Sequence, residues 1–189
     1  MRQTIITLAS LALLAGSAIA QSPATPTKQP ATTLNDRLTG DLVPTHDPVI
    51  IREGGTYHVF STGHGDRLIE TRTSPDLIHW TAGKPVFTTL PDWAKQAIPG
   101  SNGMWAPDIS YVNGRYRLYY SVSTFGSNRS AIGLATSPTL DPKAKNFGWR
   151  DEGLVVMSTR EDDYNAIDPN FIIDREGRHW LSLGSFWTG

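Results

Sequence analysis

Three segments of the chain share one plan: DPVIIREGGTYHVFSTG from Asp47, DISYVNGRYRLYYSVS from Asp108 and DPNFIIDREGRHWLSLGS from Asp168. Each opens on an aspartate, runs through a short apolar stretch, turns at glycine and continues into β-branched or aromatic residues. The aspartates recur at intervals of 61 and 60 residues. A fixed period of that length restricts a chain to architectures made of repeated supersecondary units. The turns are Glu53-Gly54-Gly55, Asn113-Gly114 and Arg175-Glu176-Gly177, and the second stretches end near Ser61, Ser121 and Ser182. Two such stretches about an Asn-Gly or Gly-Gly pair form a β-hairpin, because glycine and asparagine accept the positive φ that a tight hairpin turn needs.

The remainder of the unit also recurs. Ile69 to Trp80 (IETRTSPDLIHW) matches Ile132 to Pro142 (IGLATSPTLDP), and in each the Thr-Ser-Pro ends a third strand, since proline donates no ladder hydrogen bond. A fourth strand is expected near Lys84 to Thr88 and near Gly153 to Met157. Four strands per sixty residues, with little helical periodicity, describe an all-β chain of β-propeller blades. A β-sandwich has similar short strands, but the long period disfavours it. Two units are complete and the third stops after its hairpin. Propellers close with about four to eight blades, so the chain reads as a fragment holding about two and a half blades, or as one protomer of an oligomeric ring.

Composition narrows the surroundings of this fold. The 189 residues carry a net charge of −1 without a long run of one sign, which argues against a nucleic-acid surface. Residues 1–20 read as a signal peptide: Arg2 gives the positive start, Ile5 to Leu14 is mostly apolar, and Ala18-Ile19-Ala20 is a cleavage pattern. That apolar run is too short for a stable membrane span, so export to the periplasm or medium with no membrane attachment is expected. Residues 21–37 form a Pro/Thr-rich linker, and residues 38–189 form the folded part. With no cysteine, an exported chain relies on its apolar core alone.

First strands of propeller blades line the central channel, so Asp47, Asp108 and Asp168 are expected to ring one of its mouths. Gathered carboxylates suit acid–base work, because repulsion and burial separate their pKa values. Glycoside hydrolysis needs such a set. An aspartate at a strand start is also a common turn residue, especially beside proline. Spacing alone leaves these readings open.

THDPVI, SNGMWAPDISYVNGRYRLYYSVSTFGSNRSAIGLATSPTLDP and YNAIDPNFIIDREGRHWLSLGSFWTG resemble the endo-1,5-α-L-arabinanases of glycoside hydrolase family 43. The resemblance runs from about Asp41 to Gly189 and implies a five-bladed β-propeller. It further implies inverting hydrolysis of α-1,5-linked arabinofuranose chains, with arabinan or its oligosaccharides as partner and a full-length protein that acts as a monomer. By the family's motifs, Asp47 is the general base, and Asp168 orients the general acid and raises its pKa. The acid itself, a glutamate in a later Glu-Gly-Pro motif, has no counterpart in the chain: Glu176-Gly177 is followed by Arg178. The fragment alone is therefore expected to be inactive.

Other residues suit a sugar site. His46 adjoins the base, Trp105 offers a face for a furanose ring, and Phe125 and Asn165 are further substrate-binding candidates. Asp108 is expected to be structural. Trp80, Trp149 and Trp180 are assigned to the core. The remaining histidines lack zinc-type spacing. The resemblance implies a channel ion, calcium or another, held by a histidine of a later blade, so no metal ligand is assigned within the chain and no cofactor is expected. Asn128-Arg129-Ser130 matches a glycosylation sequon. Alternative readings are an exo-acting arabinofuranosidase or β-xylosidase of the same family, and a non-catalytic glycan-binding propeller.

Overall fold

The computed structural model describes residues 33–184. The expected signal peptide, and the expected linker as far as residue 32, lie outside the described residues. Glycine and asparagine set the first two hairpins. Val49–Glu53 (β2) pairs with Thr56–Ser61 (β3) across Gly54-Gly55, and Gly103–Val112 (β7) pairs with Arg115–Val122 (β8) across Asn113-Gly114. Asn113 and Gly114 have φ of 52° and 78°, the pair of positive values that a two-residue I′ turn requires.

Each hairpin extends into a blade. In the first, β3 is followed by Glu70–Ser74 (β5) and His79–Ala82 (β6), all antiparallel. Short Thr39–Gly40 (β1) adds to the outer edge, parallel to β6. In the second, β8 is followed by Ser130–Ser137 (β9) and Arg150–Ser158 (β10). Gly63–His64 (β4) reaches across from the first blade to pair with the start of β7. Both third strands end on the serine before a proline, at Ser74 and Ser137. Asn170–Ile173 (β11) and His179–Ser182 (β12) make the hairpin that opens a third blade.

The fourth strand of the second blade covers the expected segment. That of the first lies earlier, at His79–Ala82, and Phe87 contributes only an isolated bridge to Leu68. The displaced stretch leads instead into a short helix, Asp92–Ala97 (α1), whose Ala94 is fully buried. At four mostly exposed residues, β6 is too short to carry an alternating apolar pattern, so the sequence does not mark its position.

The core lies between the two blades and beneath α1. Leu118, Tyr120, Val122 and Ile132 are fully buried, and Leu68, Ile69, Ile98 and Met104 join them. Each large apolar side chain so buried is worth about 1.5–3 kcal/mol. Trp149 packs against this core with its ring edge-on to Phe60, at 5.6 Å between centroids. Trp180 does not: it is 54% exposed and donates its indole N–H to Asp174. The β11–β12 hairpin has no further strand beside it among the described residues, so its outer face is uncovered.

Glu53, at the end of β2, ties the two blades together. Its carboxylate accepts the Thr139 hydroxyl at 2.9 Å and the Leu140 N–H at 2.8 Å. The sequon is closed to modification in this fold. Asn128 is buried, and its amide donates to the carbonyls of Asp162 and Tyr164.

Candidate active site

Register settles which residues of successive blades are equivalent. Val49 lies opposite Phe60, Asp108 opposite Tyr119 and Asn170 opposite Ser182. Two residues before Val49, Asp108 and Asn170 stand Asp47, Ala106 and Asp168. All three adopt positive φ, at 49°, 39° and 52°, and all three precede a proline, Pro48, Pro107 and Pro169. Asp108 is therefore not the counterpart of Asp47 and Asp168; Ala106 is. A register shift in β7 between Trp105 and Asp108 accompanies this difference. Counting by aspartate aligned the wrong residue, whereas counting by the following proline aligns the right one.

Aspartate tolerates the left-handed region because its short polar side chain bonds locally, whereas alanine enters it only under constraint. At Ala106 the constraint is a hydrogen bond from its N–H to the Thr62 hydroxyl oxygen, 2.9 Å away. The Asp168 N–H is held in the same way by the Ser121 hydroxyl at 3.0 Å. Thr62 and Ser121 occupy matching positions, two residues past Phe60 and Tyr119 respectively. One hydroxyl thus pins the entry of the next blade, twice over. Sequence reading singled out Ser121 but took Ser61, not Thr62, as its partner.

The three X-Pro steps converge with Val49 and Asp108 on an open cleft of about 350 Å³. Asp47 and Asp168 both line it. The Asp47 carboxylate takes two bonds on the same oxygen: Oδ2 lies 2.7 Å from His46 Nδ1 and accepts the Thr62 hydroxyl at 2.8 Å. Burial pushes Asp168 above the usual carboxylate range, and the charge of Asp47 pushes it the same way. No side chain among the described residues hydrogen-bonds the Asp168 carboxyl. Asp108, at the same cleft, is turned toward the next blade, where Oδ2 accepts the Phe171 N–H at 2.7 Å. Burial raises its pKa as well, opposed by that bond.

The other candidates fall at different distances from this pair. His46 is exposed beside Asp47. The Trp105 ring packs at 4.9 Å from that of Phe125, which is 90% exposed, so the two form one aromatic ledge. The Trp105 indole nitrogen is buried without a partner among the described residues. Asn165 is buried three residues before Asp168 and does not line the cleft; its side-chain oxygen has no partner among the described residues.

Arg72, which sequence reading passed over, organises the approach to Asp47. Almost wholly buried, it donates to the Asp41 carbonyl at 2.7 Å and to the Pro44 carbonyl, and it lies 3.2 Å from Glu70. It thereby holds the segment leading into His46 and Asp47 against β5. A second, apolar hollow of about 400 Å³ lies beside this segment, between Leu38, Val43, Val59 and Trp80. It contains no carboxylate. No group of three or more His, Cys, Asp or Glu able to hold a metal ion occurs among the described residues.

Comparison with known proteins places this cleft in a family. The chain is 47% identical over 146 residues to an extracellular endo-α-(1→5)-L-arabinanase of Bacillus subtilis, a match covering 76% of this chain and 44% of that protein. It is 46% identical to an extracellular exo-α-(1→5)-L-arabinofuranosidase of Cellvibrio japonicus, covering 78% and 42%. Among solved structures, the Cellvibrio cellulosa α-L-arabinanase bound to arabinohexaose superposes with a TM-score of 0.73 at 44% identity, covering 78% of this chain and 46% of that one. The chain thus spans less than half the length of these relatives. Its two blades and opening hairpin are the corresponding share of a five-bladed β-propeller. Residues 43–189, which carry every X-Pro step of the cleft, match the family model as well, and the chain belongs to the glycosyl hydrolases family 43.

Proposed function

We propose that the full-length protein is a secreted glycoside hydrolase that cleaves α-1,5-linked L-arabinofuranose chains of arabinan with inversion. The observation that carries this reading is the pairing of Asp47 and Asp168 in one cleft, close enough for the charge of one to raise the pKa of the other. Asp47 acts as the general base. It is anchored through Oδ2, which leaves Oδ1 to take a proton from the attacking water. Asp168 is the residue that orients the general acid. An inverting pair of base and acid stands roughly 6.5–9.5 Å apart to admit that water. The acid is a glutamate that these 189 residues do not supply, so they are inactive alone. The Trp105–Phe125 ledge, with its exposed Phe125 ring, and His46 bind the sugar. The names of extracellular relatives support export.

The test is hydrolysis of debranched linear arabinan by the full-length protein and by its Asp47→Ala variant. The reading requires arabino-oligosaccharide release by the first, and a rate about 10²–10⁴-fold lower in a folded second. Near-normal turnover by the variant would sink the base assignment. The similarity to the Cellvibrio japonicus exo-enzyme supports a second reading, cleavage from chain ends. Release of a single small product from the outset, with no ladder of intermediate lengths, would favour it.

A further inference from the structure

The Thr62 hydroxyl makes two hydrogen bonds, and only one is explained by the blade repeat. Its oxygen accepts the Ala106 N–H at 2.9 Å, as the Ser121 oxygen accepts the Asp168 N–H at 3.0 Å. That shared bond fixes how one blade enters the next. It requires a hydroxyl oxygen and nothing more. The second bond, from the Thr62 hydroxyl to Asp47 Oδ2 at 2.8 Å, has no counterpart at Ser121.

The proton assignment follows from chemistry. A main-chain N–H can only donate, so the bond from Ala106 occupies a lone pair of Oγ1 and leaves the hydroxyl proton for the carboxylate. The Thr62 side chain is in turn anchored by its backbone, whose N–H donates to the His46 carbonyl at 3.0 Å. Asp47 has positive φ, and its side chain is partly in solvent at the cleft edge. His46, the other donor to Oδ2, is itself exposed. Thr62, directly after β3, is the donor to this carboxylate that the adjoining blade also holds, through Ala106.

We propose that Thr62 is a positioning residue for hydrolysis, fixing the Asp47 carboxylate with Oδ2 toward the scaffold and Oδ1 toward the attacking water. This rests on the assignment of Asp47 as general base. Thr62 does not line the cleft. It acts by keeping the base within hydrogen-bond reach of the nucleophile, and misplacement by about 1 Å can cost on the order of 10²-fold in rate.

The test uses the full-length protein with linear arabinan and three variants, Thr62→Val, Thr62→Ala and Thr62→Ser, beside Asp47→Ala. Valine matches threonine in shape without the hydroxyl, and alanine removes the hydroxyl without setting a methyl against the Ala106 N–H. Thr62→Val and Thr62→Ala are expected to lower kcat by about ten- to a hundredfold with KM within threefold. Thr62→Ser is expected to restore kcat to within threefold. A kcat within twofold of the parent in either hydroxyl-free variant overturns the proposal. So does a serine variant no better than valine, since a purely structural role for the side chain would then account for the loss. If Asp47→Ala is inactive while the hydroxyl-free variants turn over normally, only the positioning role fails. If Asp47→Ala itself turns over normally, the base assignment fails first.

Discussion

The Asp108 carboxylate, on the first strand of the second blade, accepts the main-chain N–H of Phe171 on the first strand of the third, at 2.7 Å. A carboxylate on the cleft lining thus serves as an inter-blade tie. The tie lies where β7 and β11 run side by side. It is backed by the Phe171 ring, stacked on Tyr119 at 5.8 Å and 14°. Replacing Asp108 by alanine strands a partly buried N–H, which costs about 1–3 kcal/mol. Asp108→Asn keeps a carbonyl oxygen able to accept the bond. We expect Asp108→Ala to lower the melting temperature of the full-length protein by several degrees, with Asp108→Asn between it and the parent. Equal melting temperatures for all three would remove the tie.

Asp168 gives a prediction with a definite sign. Burial, then the charge of Asp47, raise its pKa from the usual value of 3.8. Between that value and the raised one, the folded protein keeps a proton that the unfolded chain has released. Its contribution to stability therefore falls as pH rises through that window and stays reduced above it. Asparagine carries no charge at any pH. Asp168→Asn should melt a few degrees higher than the parent at pH 7, and the difference should vanish below about pH 3.8, where both side chains are neutral. Hydrolysis should meanwhile collapse. Thermal melts of both proteins across pH 3–8 check the stability half, and a difference that grows on acidification would contradict it.

Much of this arrangement was legible because it is local. Gly54-Gly55 and Asn113-Gly114 announce hairpins by turn chemistry, and Pro75 and Pro138 announce where third strands stop. The sixty-residue period then brings Asp47 and Asp168 to one end without any tertiary information. What escaped depends on register and on distant partners. Ala106 carries no chemical signature, and only the proline after it marks its kinship with Asp47 and Asp168. Thr62 and Arg72 act on residues 15 and 28 positions away, Asp47 and Pro44, so no short motif could contain them. Trp180 reads as core by type, yet its hairpin has no neighbouring strand among the described residues, and the ring is half exposed.

Gly133 marks the tightest point of the second blade. A Cβ added there would lie 2.5 Å from Tyr120 Cζ and 2.7 Å from Trp93 Cζ2. Neither ring is free to move aside. The Tyr120 hydroxyl donates to Asp151 at 2.7 Å, and the Trp93 N–H donates to the other oxygen of the same carboxylate at 3.0 Å. Gly133→Ala should therefore destabilise by about 1–3 kcal/mol through overpacking, with a changed Trp fluorescence as the α1 contact is disturbed. Asp151→Asn in the same background should soften the penalty by freeing one ring. Parent-like stability of Gly133→Ala would show that the rings yield more easily than these bonds suggest.

Arg72 joins stability to the site. Its guanidinium is shared between Glu70 and the carbonyls of Asp41 and Pro44, and it also reaches the Ser61 hydroxyl at 3.3 Å. Arg72→Met keeps most of the side-chain volume but removes every donor. Glu70 is then left with Arg67, 3.4 Å away and partly exposed, as its remaining cation. Removing one partner of a buried ion pair costs about 3–5 kcal/mol, because the other charge stays desolvated. The segment from Asp41 to Pro44 loses its hold at the same time, and that segment carries the chain directly into Asp47. Denaturant unfolding of the full-length Arg72→Met protein should show that loss. Under native conditions kcat should fall together with it, and Glu70→Gln in the same chain should recover stability without recovering kcat, since it relieves the stranded charge but leaves Asp41 and Pro44 unheld. Recovery of both would assign the whole effect of Arg72 to charge balance and none to the placement of the loop.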